Sequence, residues 1–154
     1  MIMKIIFVLG PIGAGKTFYI TKVLLKLYNI TYLSSDELML TNNLTYEVAR
    51  NQMHYIMQDY IKNNKSFIIE GTGQHLDLYD LLKDLYNNRE IDLKIIYINI
   101  GLPIALQRNQ LRKRVLDDHI VKEVFYKSME NRNLWQDFDC EYIDYNDILI
   151  DDID

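Results

Sequence analysis

The chain has 154 residues, 49% of them hydrophobic and 25% charged, with a formal net charge of -5. That length fits one domain, residues 1–154, whose core needs no disulfide or metal staples, and the acidic balance excludes a protein that is basic all over, of the kind that coats nucleic acid or anionic membranes. A single cysteine, Cys140, excludes an intrachain disulfide framework and points to a reducing, cytoplasmic compartment.

No apolar run reaches the length of a membrane span. The N-terminal stretch MIMKIIFVLG runs straight into a glycine-rich motif instead of a small-residue cleavage site, so it reads as a strand and not a signal peptide. Lys4 to Leu9 is a continuous apolar run, as expected of a strand buried on both faces. Thr17 to Tyr28 places Ile20, Val23, Leu24 and Leu27 on one helical face. A short second strand, Thr31 to Ser34, leads into a polar stretch and then a helix from Leu44 to Lys62. Ser66 to Ile69 is a buried strand, Asp77 to Tyr86 a helix with Leu78, Leu81, Leu82 and Leu85 in register, and Leu93 to Ile100 a strand. Pro103 suits the first residue of a helix running to about Arg114. Val121 to about Trp135 predicts a further helix and Glu141 to Tyr145 the last strand. Strands alternating with helices predict an α/β fold: a five-stranded parallel sheet with helices on both faces.

Gly10-Pro11-Ile12-Gly13-Ala14-Gly15-Lys16-Thr17 matches G-x-x-x-x-G-K-[ST] at every fixed position, between a buried strand and an amphipathic helix. Glycines let the backbone wrap so that successive N–H groups face phosphate oxygens, and the helix N-terminus adds its positive dipole. Lys16 reaches the β- and γ-phosphates, and the Thr17 hydroxyl is a Mg²⁺ ligand. ATP and Mg²⁺ are the expected cofactors.

Three further places narrow the chemistry. In an open α/β sheet, ligands sit outside the carboxyl ends of the strands. Ser34-Ser35-Asp36-Glu37 lies there, so Asp36 is a candidate general base for an attacking hydroxyl, while the same string is also a helix-capping pattern. Glu70, closing a buried strand before Gly71-Thr72-Gly73, is placed to hold Mg²⁺ through water or to grip an acceptor hydroxyl. The third is a basic run. Between residues 107 and 122 there are five basic residues (Arg108, Arg112, Lys113, Arg114, Lys122) and two acidic (Asp117, Asp118), a local +3 against -8 for the rest of the chain. Read as one helix, this run places Arg108 and Arg112 on a shared face. A mobile basic segment of this kind closes over a triphosphate; a solvated helix face is the other reading.

These residues resemble a family. The phosphate loop, the Ser-Asp after the second strand and the Arg-rich lid followed by Val121 to Met129 look like the P-loop kinases of the bacteriophage polynucleotide-kinase type. The stretch Phe67 to Gly73 looks more like zeta-toxin-type kinases, which phosphorylate a sugar nucleotide. The resemblance implies a P-loop NTPase fold with an Arg-rich lid and transfer of the γ-phosphoryl group of ATP to a hydroxyl. The acceptor would be a nucleic-acid end, a nucleotide or a nucleoside-like molecule, with a sugar nucleotide or other small molecule as the alternative. It implies Asp36 as base and Ser35, Asp36, Glu70 and Thr72 on the acceptor side. It also implies Arg108 with Arg112 or Arg114 at the phosphates, and Asn146 near the adenine. A P-loop ATPase or switch with no acceptor is the contrasting class. A GTPase of that class carries Asn-Lys-x-Asp, and the nearest string, Asn64-Lys65-Ser66-Phe67, lacks the aspartate.

Overall fold

The computed structural model describes residues 2–145. Five parallel strands form one sheet in the order β2-β3-β1-β4-β5. They are β1 (Met3–Leu9), β2 (Thr31–Leu33), β3 (Phe67–Gly71), β4 (Ile91–Asn99) and β5 (Glu141–Asp144). The helix after the phosphate loop is continuous over residues 16–27, as α1 (Lys16–Tyr19), a π-helical turn (Ile20–Leu24) and α2 (Leu25–Leu27). The others are α3 (Ser35–Asn42), α4 (Tyr46–Lys62), α5 (Asp77–Tyr86), α6 (Leu102–Asn109), α7 (Asp118–Asn131) and a 3-10 helix (Arg132–Phe138).

The alternation of β1 explains the two layers. Ile5, Phe7 and Leu9 face one core with Met53 and Met57 of α4, Leu82 and Leu85 of α5, and Trp135. Ile6 and Val8 face the other with Ile20, Leu24, Ala105 of α6 and Val121 and Phe125 of α7. β4 divides the same way, Ile95 and Tyr97 to the first core and Ile96 and Ile98 to the second. A strand buried on both faces has to be apolar throughout, which is why β1 reads as an unbroken run. Each such side chain contributes roughly 1.5–3 kcal/mol relative to exposure.

The parallel α/β sheet with helices on both faces stands as expected. Three boundaries do not. The polar stretch after β2 is the helix α3, capped by Ser34, whose Oγ accepts from the Glu37 N–H at 3.2 Å. The helix expected to run to Arg114 ends at Asn109. Its last side chain explains why: the buried Asn109 amide donates to Leu116 O at 2.7 Å and accepts from Leu116 N–H at 3.2 Å. The side chain occupies the place of a backbone partner and ties residues 109 and 116 together, so the intervening chain must loop out. The helix expected to end at about Trp135 stops at Asn131 and tightens into 3-10 geometry.

Candidate active site

The phosphate loop joins β1 to α1. Gly15 is the residue before the helix, with φ 94°, and Gly13 has φ 82°. Both values lie where a side chain is strained. A Cβ on Gly13 would also stand 2.8 Å from Ala105 O, so α6 packs directly on the back of the loop. Lys16 Nζ folds back over the loop and donates to Gly10 O at 2.6 Å and Pro11 O at 3.4 Å. Burial pushes this amine down to about 8; the charges of Glu70 and Asp36 oppose that shift and Arg112 adds to it. The four groups that the sequence singled out separately therefore share one electrostatic neighbourhood.

Thr17 Oγ1 lies 3.4 Å from Glu70 Oε2. The pairing arises because β3 is the neighbour of β1, with Glu70 in register with Val8. The other carboxylate oxygen, Oε1, accepts from Tyr32 OH at 2.7 Å. Tyr32 was not singled out in the sequence. Its signal was available only through register: Tyr32 pairs with Ile68, so it shares a sheet face with Ile68 and Glu70. No group of three or more His, Cys, Asp or Glu able to hold a metal occurs among the described residues. A hydroxyl beside one carboxylate suits Mg²⁺, which keeps waters and takes most remaining ligands from substrate phosphates.

At the end of β2, Ser34 supplies the cap, Ser35 is the first helical residue, and Asp36 is left half-exposed in the first turn of α3. Arg112 approaches Asp36 with 3.7 Å between Nη2 and Oδ2. Arg114 reaches the same helix, its Nη1 lying 3.7 Å from Met39 Sδ. Thr72 Oγ1 accepts from Gln74 N–H at 3.4 Å. The loop carrying it is held by the buried Asn131 of α7, which donates to Gly73 O at 3.1 Å and Gln74 O at 3.2 Å. Asn131, like Asn109, carried no sequence signal.

Arg108 stands apart from the other basic residues. It is 2% exposed. Its guanidinium donates to Gly13 O at 3.3 Å, Ala14 O at 3.4 Å and Tyr145 O at 2.6 Å. It braces the back of the phosphate loop against the end of β5, and it does not share a helix face with Arg112, which lies in the loop beyond α6. Asn146 lies outside the described residues.

No protein-family model matches the sequence, and no curated protein does. Among solved structures, a chain of the Pnkp1/Rnl/Hen1 RNA repair complex superposes with a TM-score of 0.69 at 13% identity, covering 86% of this chain. This chain spans only 46% of that one, less than half its length. Shikimate kinase from Acinetobacter baumannii, in complex with shikimate, gives 0.61 at 17% identity over 96% of this chain and 86% of its own. Deoxyadenosine kinase from M. mycoides with bound dATP gives 0.58 at 17% identity over 96% and 92%. At such identities the likeness is one of fold. With a phosphate loop at the end of the central strand and helices on both faces of a parallel sheet, the chain has the P-loop kinase fold.

Proposed function

We propose that this chain is an ATP-dependent phosphotransferase that moves the γ-phosphoryl group to a hydroxyl of a nucleic-acid end, a nucleotide or a nucleoside-like acceptor. The observation that carries this reading is the position of Asp36. Ser34 takes over helix capping, so the Asp36 carboxylate is left at the crevice, facing Arg112 and sharing a field with Lys16 and Glu70.

The chemistry follows from the placement. Asp36 accepts the proton of the acceptor hydroxyl. The acceptor oxygen forms a bond to the γ-phosphorus, and the bond from that phosphorus to the β,γ-bridging oxygen breaks, its electron pair leaving with ADP. Lys16 and Arg112 stabilise charge on the transferred group. Thr17 and Glu70 would hold Mg²⁺, which supplies charge neutralisation at the phosphates. Ser35 and Thr72 line the acceptor side, and Arg114 lies over α3 to close it.

The test is transfer of labelled phosphate across a panel: 5′-hydroxyl DNA and RNA, nucleosides, nucleoside monophosphates and sugar nucleotides. Transfer to one class, lost in Asp36→Asn with ATP binding retained, is the expected result. ATP hydrolysis indifferent to every acceptor and to Asp36→Asn overturns it. Labelling confined to sugar nucleotides selects the small-molecule alternative.

A further inference from the structure

The Glu70 carboxylate has two oxygens in two different environments. Oε2 faces the Thr17 hydroxyl, and Oε1 is taken by a phenol from the edge strand β2. A glutamate on a strand end has three side-chain torsions, and its terminal torsion is broad. Nothing in β3 itself selects the rotamer that faces Thr17. The selection comes from Tyr32: β2 pairs in parallel with β3, Tyr32 lies opposite Ile68, and a tyrosine two residues back on the same sheet face reaches the Glu70 carboxylate at 2.7 Å. A phenylalanine would fill the same apolar site against the second core, where the Tyr32 ring packs. The hydroxyl is therefore not required for packing.

We infer that Tyr32 is a positioning residue for the metal-binding pair of the site, its hydroxyl orienting Glu70 so that the second carboxylate oxygen meets Thr17 and the metal–nucleotide complex. This rests on the assignment of the site as a Mg²⁺–ATP site. Partners that orient metal-binding groups typically contribute about 10- to 100-fold in metal affinity or activity.

The test compares binding of a non-hydrolysable ATP analogue with and without Mn²⁺, by calorimetry, with Mn²⁺ occupancy read by electron paramagnetic resonance. The expected result is that the Mn²⁺-dependent gain in affinity shrinks about 10-fold in Tyr32→Phe while metal-free affinity is unchanged. Tyr79→Phe is the control. Its phenol also donates to a carboxylate, Asp137 at 2.7 Å, but belongs to α5, away from the phosphate loop. In a Glu70→Gln background, Tyr32→Phe is expected to have no further effect, since it acts through that carboxylate. A Mn²⁺ gain equal in Tyr32→Phe and wild type overturns the inference alone, as does an undiminished effect in the Glu70→Gln background. A wild-type protein whose nucleotide affinity is indifferent to Mn²⁺ overturns the metal-site assignment as well. Thermal unfolding of each variant separates these outcomes from loss of fold.

Discussion

Arg112 and Asp36 confront each other across the mouth of the site, 3.7 Å from guanidinium nitrogen to carboxylate oxygen. A pair this exposed contributes about 0–1 kcal/mol. On the proposed function, a triphosphate offers more charge than one carboxylate and would draw Arg112 away at little expense, freeing Asp36. Arg112→Ala is expected to lower kcat by about 100-fold or more while changing the ATP dissociation constant far less, because the arginine acts on charge that develops in transfer. Steady-state kinetics beside equilibrium nucleotide binding checks the split; equal losses in both would assign Arg112 to ground-state binding.

Asp36→Asn keeps the shape of the α3 first turn and the Ser34 cap. It is expected to lower kcat by about 100- to 10,000-fold, the usual range for a general base. Single-turnover transfer with ATP saturating provides the measurement.

Lys16 gives a pH signature. Its amine sits at about 8 against an ordinary 10.5, so between these values the unfolded chain binds more protons than the folded one. Stability attributable to this group therefore rises with pH through that window and is absent below it. Nucleotide phosphates favour the charged amine and reverse the shift. Calorimetry in buffers of different ionisation enthalpy should register proton uptake on ATP binding at about pH 8.5, fading toward about pH 6.5.

Arg108→Ala tests the brace under the phosphate loop. Removing it orphans the carbonyls of Gly13, Ala14 and Tyr145 and leaves a cavity. The expected loss is about 3 kcal/mol in denaturant unfolding. A lid arginine would instead cost activity with stability intact, so the two roles separate cleanly.

Asn109→Ala removes both bonds that pin the loop base at Leu116. Hydrogen exchange at the Leu116 amide should accelerate by at least about 10-fold, with the exchange of β1 amides unchanged.

The sheet and its two-faced core were legible because β1 from Ile5 to Leu9 and β4 from Ile95 to Ile98 are unbroken apolar runs, which a strand covered by helices on both sides requires. The phosphate loop was legible because its glycines and its Lys-Thr pair answer a backbone geometry that few other residues satisfy. What the sequence hid was long-range pairing. Tyr32 meets Glu70 across 38 residues, and Asn131 meets Gly73 across 58. Neither contact leaves a local pattern. The basic run misled for a related reason. Helical spacing put Arg108 beside Arg112, but the fate of a helix end was decided by the Asn109 amide, which sends one arginine under the phosphate loop and the other to Asp36 of α3.

The strand order has a practical consequence. Asp36 follows β2 and Glu70 lies within β3, both on one side of the central β1, whereas Arg108 and Tyr145 lie on the other. On the proposed function, acceptor contacts and phosphate-loop support thus fall on opposite halves of the sheet.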